Sequence, residues 1–518
     1  MQSMREILTT SAEHPGSSFP IGMELVSTRG TMEEIKAVKA REFAMELAAT
    51  DRIDWVSITD NAGGNPMLAP AALGKPLLEN NKEVAIHLSC KDFNRNGLES
   101  VAWQLNSEGF HNILALSGDS PIDGHDGQAK PVFDIDSVGL ITMLREMNQG
   151  LKVKAPGNTT RQLGMTRFFT GTVVNNFKRH ESEVIPQYLK LDKKIENGAR
   201  YIINQIGYDA RKMDELLRYM QRQGHQQVPL VGNVYVLNPF VAQIFHTRKI
   251  PGVYVNDQLL HIAEKQQQSA DKGRAFFYEF AAKQLAIYRG LGYHAGYLGG
   301  VHNYNAVDQI LNIEQSFSGD DWKQFAREFS FSHPEEFYLF DQDETSGLSS
   351  NELNPSYLKS LENRSGRDLS YSLSKQFHSL MFTPGKGLAP LCTRICQNAK
   401  DPSQGPAWMR AVERLSKNLL FSCKDCGDCS LPETAFLCPE SQCAKNQRNG
   451  PCGGTRDGLC EVADKACIWA RAYDRLKPDA EELQLLKHVP TLQDQSLRGT
   501  SGWANCWLER DHIAAKKK

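Results

Sequence analysis

The sequence predicts an α/β chain in which a closed barrel of eight strand–helix units, a (β/α)8 or TIM barrel, precedes a small cysteine-rich domain. Two observations predict the barrel. Short runs rich in Val, Ile, Leu and Phe recur between residues 19 and 304, and the segments between them repeat apolar residues at three- and four-residue steps, as amphipathic helices do. Strand–helix repetition means parallel strands with helical crossovers, and eight such units close a barrel. An open doubly wound sheet is the competing arrangement for this pattern. A third observation predicts the second domain: eleven of the 12 cysteines lie between Cys392 and Cys506, leaving Cys90 alone before them.

Taken in order, residues 1–18 form a polar N-terminal extension interrupted by Pro15, without the apolar core of a signal peptide. The barrel is expected over 19–335. Its strands are FPIGMEL (19–25), WVSITDN (55–61), EVAIHLSC (83–90), NILALSGD (112–119), RFFTGTVV (167–174), RYIINQIG (200–207), QVPLVGNVYV (227–236) and HAGYLGGV (294–301). Segments such as MEEIKAVKAREFAMELAA (32–49) and GLESVAWQLNSEGF (97–110) supply the helices. Residues 336–370, dense in Asp, Glu, Ser, Asn and Gly, read as a linker. The cysteine-rich domain follows over 371–475 and a tail over 476–518.

Composition narrows the partners. A net charge of -2 over 518 residues, 23% of them charged, gives no basic bias to recruit nucleic acid, so a small metabolite is the expected ligand. No apolar run approaches the ~18 residues of a membrane span, and a cytoplasmic location is expected.

Barrels of this kind gather their active site at the C-terminal strand ends. Polar residues stand there on several of the predicted strands: Glu24 on the first, Thr59 with Asp60 and Asn61 on the second, His87 on the third, Asp119 on the fourth and Gln205 on the sixth. A carboxyl flanked by Met23 and Leu25, as Glu24 is, loses water, gains basicity and suits proton donation near neutrality. Gly118 before Asp119 lets backbone approach a ligand closely. The Gln205 amide matches the edge of a heterocyclic amide. Phosphate-loop, serine-hydrolase and zinc-protease motifs are absent, and GLGYHA (290–295) has the wrong flanking elements for a dinucleotide fingerprint.

In the C-terminal part, Cys423, Cys426, Cys429, Cys438, Cys443, Cys452, Cys460 and Cys467 are interleaved with turn-formers such as NGPCGG (449–454). A segment with so few large apolar residues folds with the help of metal ligation. CxxCxxC is the opening of ferredoxin-type [4Fe-4S] sites and Cys438 precedes Pro439, but four cysteines equally hold Zn²⁺, and eight suffice for two sites. Cys392, Cys396 and Cys506 read as ordinary thiols.

The series GMEL, VSITDNAGGNP, AIHLSCKD, LALSGDSP and INQIGYD resembles, in order and spacing, the flavin-dependent methylenetetrahydrofolate reductases over about residues 19–304. The resemblance implies a flavin-bearing barrel, FAD or FMN, that interconverts 5,10-methylenetetrahydrofolate and 5-methyltetrahydrofolate in one-carbon metabolism and methionine biosynthesis. It implies Glu24 as the acid that helps open the imidazolidine ring, Asp119 as the carboxylate beside flavin and pterin, and Gln205 as a folate contact. Thr59, His87, Gly118, Asp119, His180 and Lys194 match flavin contacts. Three stretches depart from the family pattern: Ser117 replaces an Arg, the fifth strand runs into VVNNFKRHESE (173–183), and the last into GYLGGVHNYN (296–305). The segment 423–462 and FTPGKGLAPL (382–391) resemble the cysteine-rich partner subunit of acetogen methylenetetrahydrofolate reductases, which implies support of the barrel or electron delivery to flavin. The donor, NAD(P)H or a redox protein, and the working direction stay open, as do a homo-oligomer and a non-catalytic electron-transfer or scaffold role.

Overall fold

Each of the eight apolar runs holds one strand of a single parallel barrel. The computed structural model describes residues 2–16, 18–247, 249–362 and 368–515. The strands are β1 (Ile21–Leu25), β2 (Trp55–Ile58), β3 (Glu83–Ser89), β4 (Asn112–Leu116), β5 (Phe169–Val174), β6 (Tyr201–Asn204), β7 (Leu230–Tyr235) and β8 (Ala295–Gly299). They pair in chain order, and β8 returns to β1 with Ile21 opposite Gly296 and Met23 opposite Leu298. That pairing closes the sheet and excludes the open doubly wound arrangement.

Large and small side chains alternate inside the barrel. A Cβ on Gly22 would stand 2.2 Å from the Trp55 indole, and one on Gly171 would stand 2.1 Å from the Tyr201 ring. Glycine at these positions gives each aromatic ring its space. Trp55, Leu114, Phe169, Tyr201 and Tyr297 fill the interior together with Met4 and Leu8, which come from the helix Met4–Glu13. That helix starts at Ser3, whose side chain and Glu6 form a capping box, and the Met4 amide donates to the Glu83 carboxylate at the start of β3 (2.8 Å). The N-terminal extension is therefore a plug at the bottom of the barrel.

Downstream of the barrel, a hairpin of Phe340–Gln342 and Ser349–Leu353 lies beside the helix Ala210–Arg222, with the Leu339 amide on Glu215 (2.6 Å) and the Ser349 amide on Asp214 (2.9 Å). Residues 363–367 of the expected linker lie outside the described residues. The C-terminal part begins with helices Leu369–Phe382, Ala389–Gln397 and Ala407–Phe421, continues through short helices and turns, and includes the helix Ile468–Leu476. Trp469, Tyr473, Leu476 and Leu485 belong to the same apolar core as the barrel strands and helices. The contact runs along the helix Glu181–Glu196, which lies between barrel and C-terminal part and is buried from Glu183 to Ile195. Beyond residue 476 the chain stays engaged: Trp507 joins Cys392, Cys396 and Met409 in a small core, and His512 Nδ1 contacts Asp428 Oδ1 at 2.6 Å. Among the described residues no helix is long and apolar enough to cross a membrane.

Candidate functional site

The C-terminal ends of β1 to β4 assemble a connected polar group. Glu24 on β1 stands opposite Ser57 on β2, and Tyr297 on β8 donates to Glu24 Oε2 at 3.5 Å. Ser57 Oγ and His87 Nε2 share a hydrogen bond of 2.8 Å. Burial raises the Glu24 carboxyl to about 7, against the smaller opposing effect of the Tyr297 hydroxyl. The same desolvation lowers His87 to about 4, so its imidazole is neutral at physiological pH. Thr59 Oγ1 accepts from the Ser27 amide (3.3 Å), joining the loops after β1 and β2. Asp60 accepts from the Ser89 amide and hydroxyl, which ties β2 to β3.

Asp119 follows β4, and its Oδ2 accepts from the Gly63 amide at 3.2 Å. Gly118 has a φ of 84°, and a Cβ there would press on Ser89 and Lys91 at 3.0 to 3.2 Å, so both the turn and the close approach require glycine. Gln205, at the end of β6, turns its Oε1 to the Ile206 amide (2.9 Å) and is half-buried. The other two sequence candidates stand apart from one another. His180 caps the N-terminus of the helix Glu181–Glu196, whereas Lys194 lies near its far end, about 21 Å along the axis at 1.5 Å per residue. Lys194 Nζ donates to Val173 O at 2.6 Å, and burial, with Lys190 next in effect, lowers its ammonium to about 7.

Sequence reasoning missed the residues that the C-terminal part lays over these strand ends. Lys445 Nζ donates to Gly118 O at 2.7 Å and pairs with Glu461. Burial alone would lower the Lys445 ammonium, but Glu461, Cys452 and Asp119 around it hold it above its ordinary value. Ser117 Oγ donates to Gln447 Oε1 (3.0 Å), so the position where the family pattern has Arg is answered by a side chain from the C-terminal part. Lys190 Nζ reaches Gln447 Oε1, Gly450 O and Pro451 O at 2.9 to 3.1 Å. Asn175 Nδ2 donates to Gly453 O (2.9 Å) and Lys178 Nζ to Thr455 O (2.5 Å). Residues 445–455 thus form a cover on β4, β5 and the 181–196 helix. Its available signal was the turn-rich NQRNGPCGGT itself, which sequence alone does not connect to lysines 260 positions earlier.

The eight cysteines divide into two sets. Burial raises the thiols of Cys423, Cys426 and Cys429, with mutual influences among these three and Cys438, and Cys429 also acts on Cys506. Cys443, Cys452 and Cys467 are raised in the same way, with mutual influences among themselves and Cys460. All four of the second set line one cavity of about 20 Å³, which Trp469 also lines. Cations face both sets: Lys417 acts on Cys423 and Cys429, Arg448 on Cys426, and Lys445 on Cys452. Among the described residues no three Cys, His, Asp or Glu donors stand at the spacing that holds an ion. The chemistry of each donor set nevertheless fits a thiolate-bound metal. Burial disfavours bare thiolates, and charge compensation by nearby cations and an ion is what stabilises them.

Comparison with known proteins follows this geometry. Methylenetetrahydrofolate reductase 2 of Schizosaccharomyces pombe is 24% identical over 179 residues, 34% of this chain and 26% of the relative, so the match spans about a quarter of the relative's length. Among solved structures, an uncharacterized protein from Clostridium thermocellum that binds two copies of 5-methyl-5,6,7,8-tetrahydrofolic acid aligns with a TM-score of 0.43 at 10% identity, over 60% of this chain and 97% of its own. A 2,3-dimethylmalate lyase aligns at 0.34 and 10% identity, over 73% and 100%. The family model described as methylenetetrahydrofolate reductase matches residues 38–288, and a second, methylene-tetrahydrofolate reductase C terminal, matches residues 406–496. With a reductase barrel and a reductase C-terminal region on one polypeptide, the chain belongs to the methylenetetrahydrofolate reductase family.

Proposed function

We propose that the chain interconverts 5,10-methylenetetrahydrofolate and 5-methyltetrahydrofolate at the C-terminal ends of β1 to β6. The observation that carries this reading is Glu24, a carboxyl on β1 raised to about 7, at the same end of the barrel as Asp119 after β4. Ring opening of the methylene bridge needs a proton donor, and Glu24, held by the Tyr297 hydroxyl, keeps its proton up to neutrality. The cationic iminium that results needs a nearby negative charge, which Asp119 supplies from a position fixed by the Gly63 amide. Gln205 offers donor and acceptor atoms to the pterin edge. In the oxidative direction the same groups act in reverse, with Glu24 as the base.

The residues fit the ring portion of a flavin. Thr59, His87, Gly118 and Asp119 would hold it, with a neutral His87 among them. When bound, the flavin supplies the hydride-transfer chemistry. On the side of Ser117, Lys190 and Lys178, the polar groups are engaged by residues 447–455, which favours a short flavin such as FMN over FAD. The two cysteine sets would hold iron–sulfur clusters or Zn²⁺, one per set, and brace the cover on the barrel.

The Glu24→Gln variant tests the reading. Folate reduction should fall by about 10² or more, the scale of general acid catalysis, while reduction of bound flavin by an artificial donor stays at the wild-type rate. Equal loss in both half-reactions would exclude Glu24 as the acid. An anaerobic visible spectrum without flavin bands, together with no folate turnover, would favour a scaffold role, a reading to which the cover over the strand ends lends a specific observation.

A further inference from the structure

Eleven of the 25 exposed large apolar side chains among the described residues fall between residues 369 and 420, on three consecutive helices and their connections. Soluble surfaces scatter such side chains singly, so a concentration of this kind marks a contact. On Leu369–Phe382, Leu369, Leu373 and Leu380 share one side, and the first two are exposed by 78% and 67%. On Ala407–Phe421, Trp408, Leu415 and Leu419 share one side, with the two leucines exposed by 74% and 82%. Buried Tyr371 anchors the other side of the first helix, and buried Met409, Glu413 and Lys417 that of the second. Between the two helices lies a groove of about 360 Å³, walled by Phe377, Phe382, Phe436 and Trp503.

The charges around this face have one sign. The helices Leu369–Phe382, Ala389–Gln397 and Ala407–Phe421 contain a single carboxylate, Glu413, which is buried against Lys417 and Arg410. From 369 to 424 the other acid is Asp401, in a loop, whereas Lys386, Arg394, Lys400, Arg414 and Lys424 are exposed. In a chain with 61 Asp and Glu against 59 Lys and Arg, that asymmetry selects an anionic partner.

The kind of apolar residue decides between partners. A second copy on a two-fold axis would set these cations against the same cations. A folded acidic protein is gripped chiefly through Trp, Tyr and Arg anchors, with Leu under-represented; eight of the eleven apolar residues here are Leu. An anionic lipid surface meets each feature. Leucines and Trp408 enter the boundary between headgroups and acyl chains, cations stay at the phosphates, and fluid chains follow a concave groove that a rigid partner would have to match.

We propose that Leu369–Phe382 and Ala407–Phe421 seat the protein on an anionic lipid surface, with the leucine stripes in the headgroup–acyl boundary and the five exposed cations on the headgroup phosphates.

The test is co-sedimentation of the full-length protein with vesicles of phosphatidylcholine alone and of an equal mixture with phosphatidylglycerol. The mixed vesicles should bind at least about tenfold more tightly, and binding should weaken with rising salt. Leu415→Glu with Leu419→Glu, at two exposed positions, should weaken it at least about tenfold. Arg394→Glu with Arg414→Glu should weaken it at low salt and flatten the salt dependence. Both variants should keep the wild-type melting temperature; should the leucine pair melt early, Leu419→Asn alone should still weaken binding about threefold or more. No sedimentation with mixed vesicles at low salt overturns the proposal, as does binding unchanged in the variants. A wild-type dimer that the leucine variant converts to monomer, or binding of polyglutamate without binding of vesicles, would assign the face to a second copy or to an acidic protein and overturn it equally.

Discussion

At the scale of single residues, the strand-end group works through burial more than through direct partners. Glu24 illustrates the sign. Its folded-state carboxyl titrates near 7 while an unfolded carboxyl titrates near 4.5, so the folded state prefers the protonated form. The native state is therefore penalised as pH rises from about 4.5 through 7, and the penalty is complete above 7. Glu24→Gln removes it. Thermal melting should rise by a few degrees relative to wild type at pH 8 and stay level with wild type at pH 4, read by calorimetry. A gain of equal size at both values would show that desolvation of the charge is not the cause. The position of Glu24 between two apolar neighbours made this legible in the sequence, as did the Gly-Asp pair at 118–119. Tyr297 and Ser57 were not legible, because a tyrosine or serine in a barrel strand has the same pattern whether it fills the core or points at a carboxylate.

At the scale of elements, the eight strands were readable because each is a short β-branched or aromatic run between helical periods, as parallel strands buried on both faces read largely apolar. The N-terminal plug was not, since a polar ten-residue helix shows only a narrow apolar side, Met4 and Leu8, whose destination is the inside of the barrel. The cover at 445–455 tests the same point energetically. Gly450 has a φ of 126°, and a Cβ there would stand 2.8 Å from the Lys190 side chain. Gly458 also has a positive φ, 76°, but a Cβ there meets nothing within 4 Å. Gly450→Ala should cost about 1–3 kcal/mol by urea denaturation and Gly458→Ala only the backbone strain of about 1 kcal/mol. Equal costs would mean that the Lys190 contact does not hold the cover down.

At the scale of the whole molecule, barrel and C-terminal part share one core across the 181–196 helix, where Tyr188 and Leu191 join Trp469 and Tyr473. Composition had marked two regions, and the cysteine spacing marked a metal-dependent one, but nothing in the spacing separates 423/426/429/438 from 443/452/460/467. That division depends on how turns fold the segment back on itself. Two consequences are measurable. Calorimetry should give one cooperative transition, and two resolved transitions would deny the shared core. On the proposed reading that the cysteine sets hold metals, a chelator should destabilise the barrel as well, lowering its melting temperature by several degrees, because the cover would lose the thiolate bonds that brace it.

The cover also sets an order of events during synthesis. The barrel can close once β8, ending at Gly299, has left the ribosome, but Lys445 and Gln447 follow roughly 150 residues later. At about 5–20 residues per second that is a delay of roughly 7–30 s. During this interval the nascent barrel stands open at the face where Ser117, Lys178 and Lys190 await their partners, so a prosthetic group can enter before residues 445–455 shut over it.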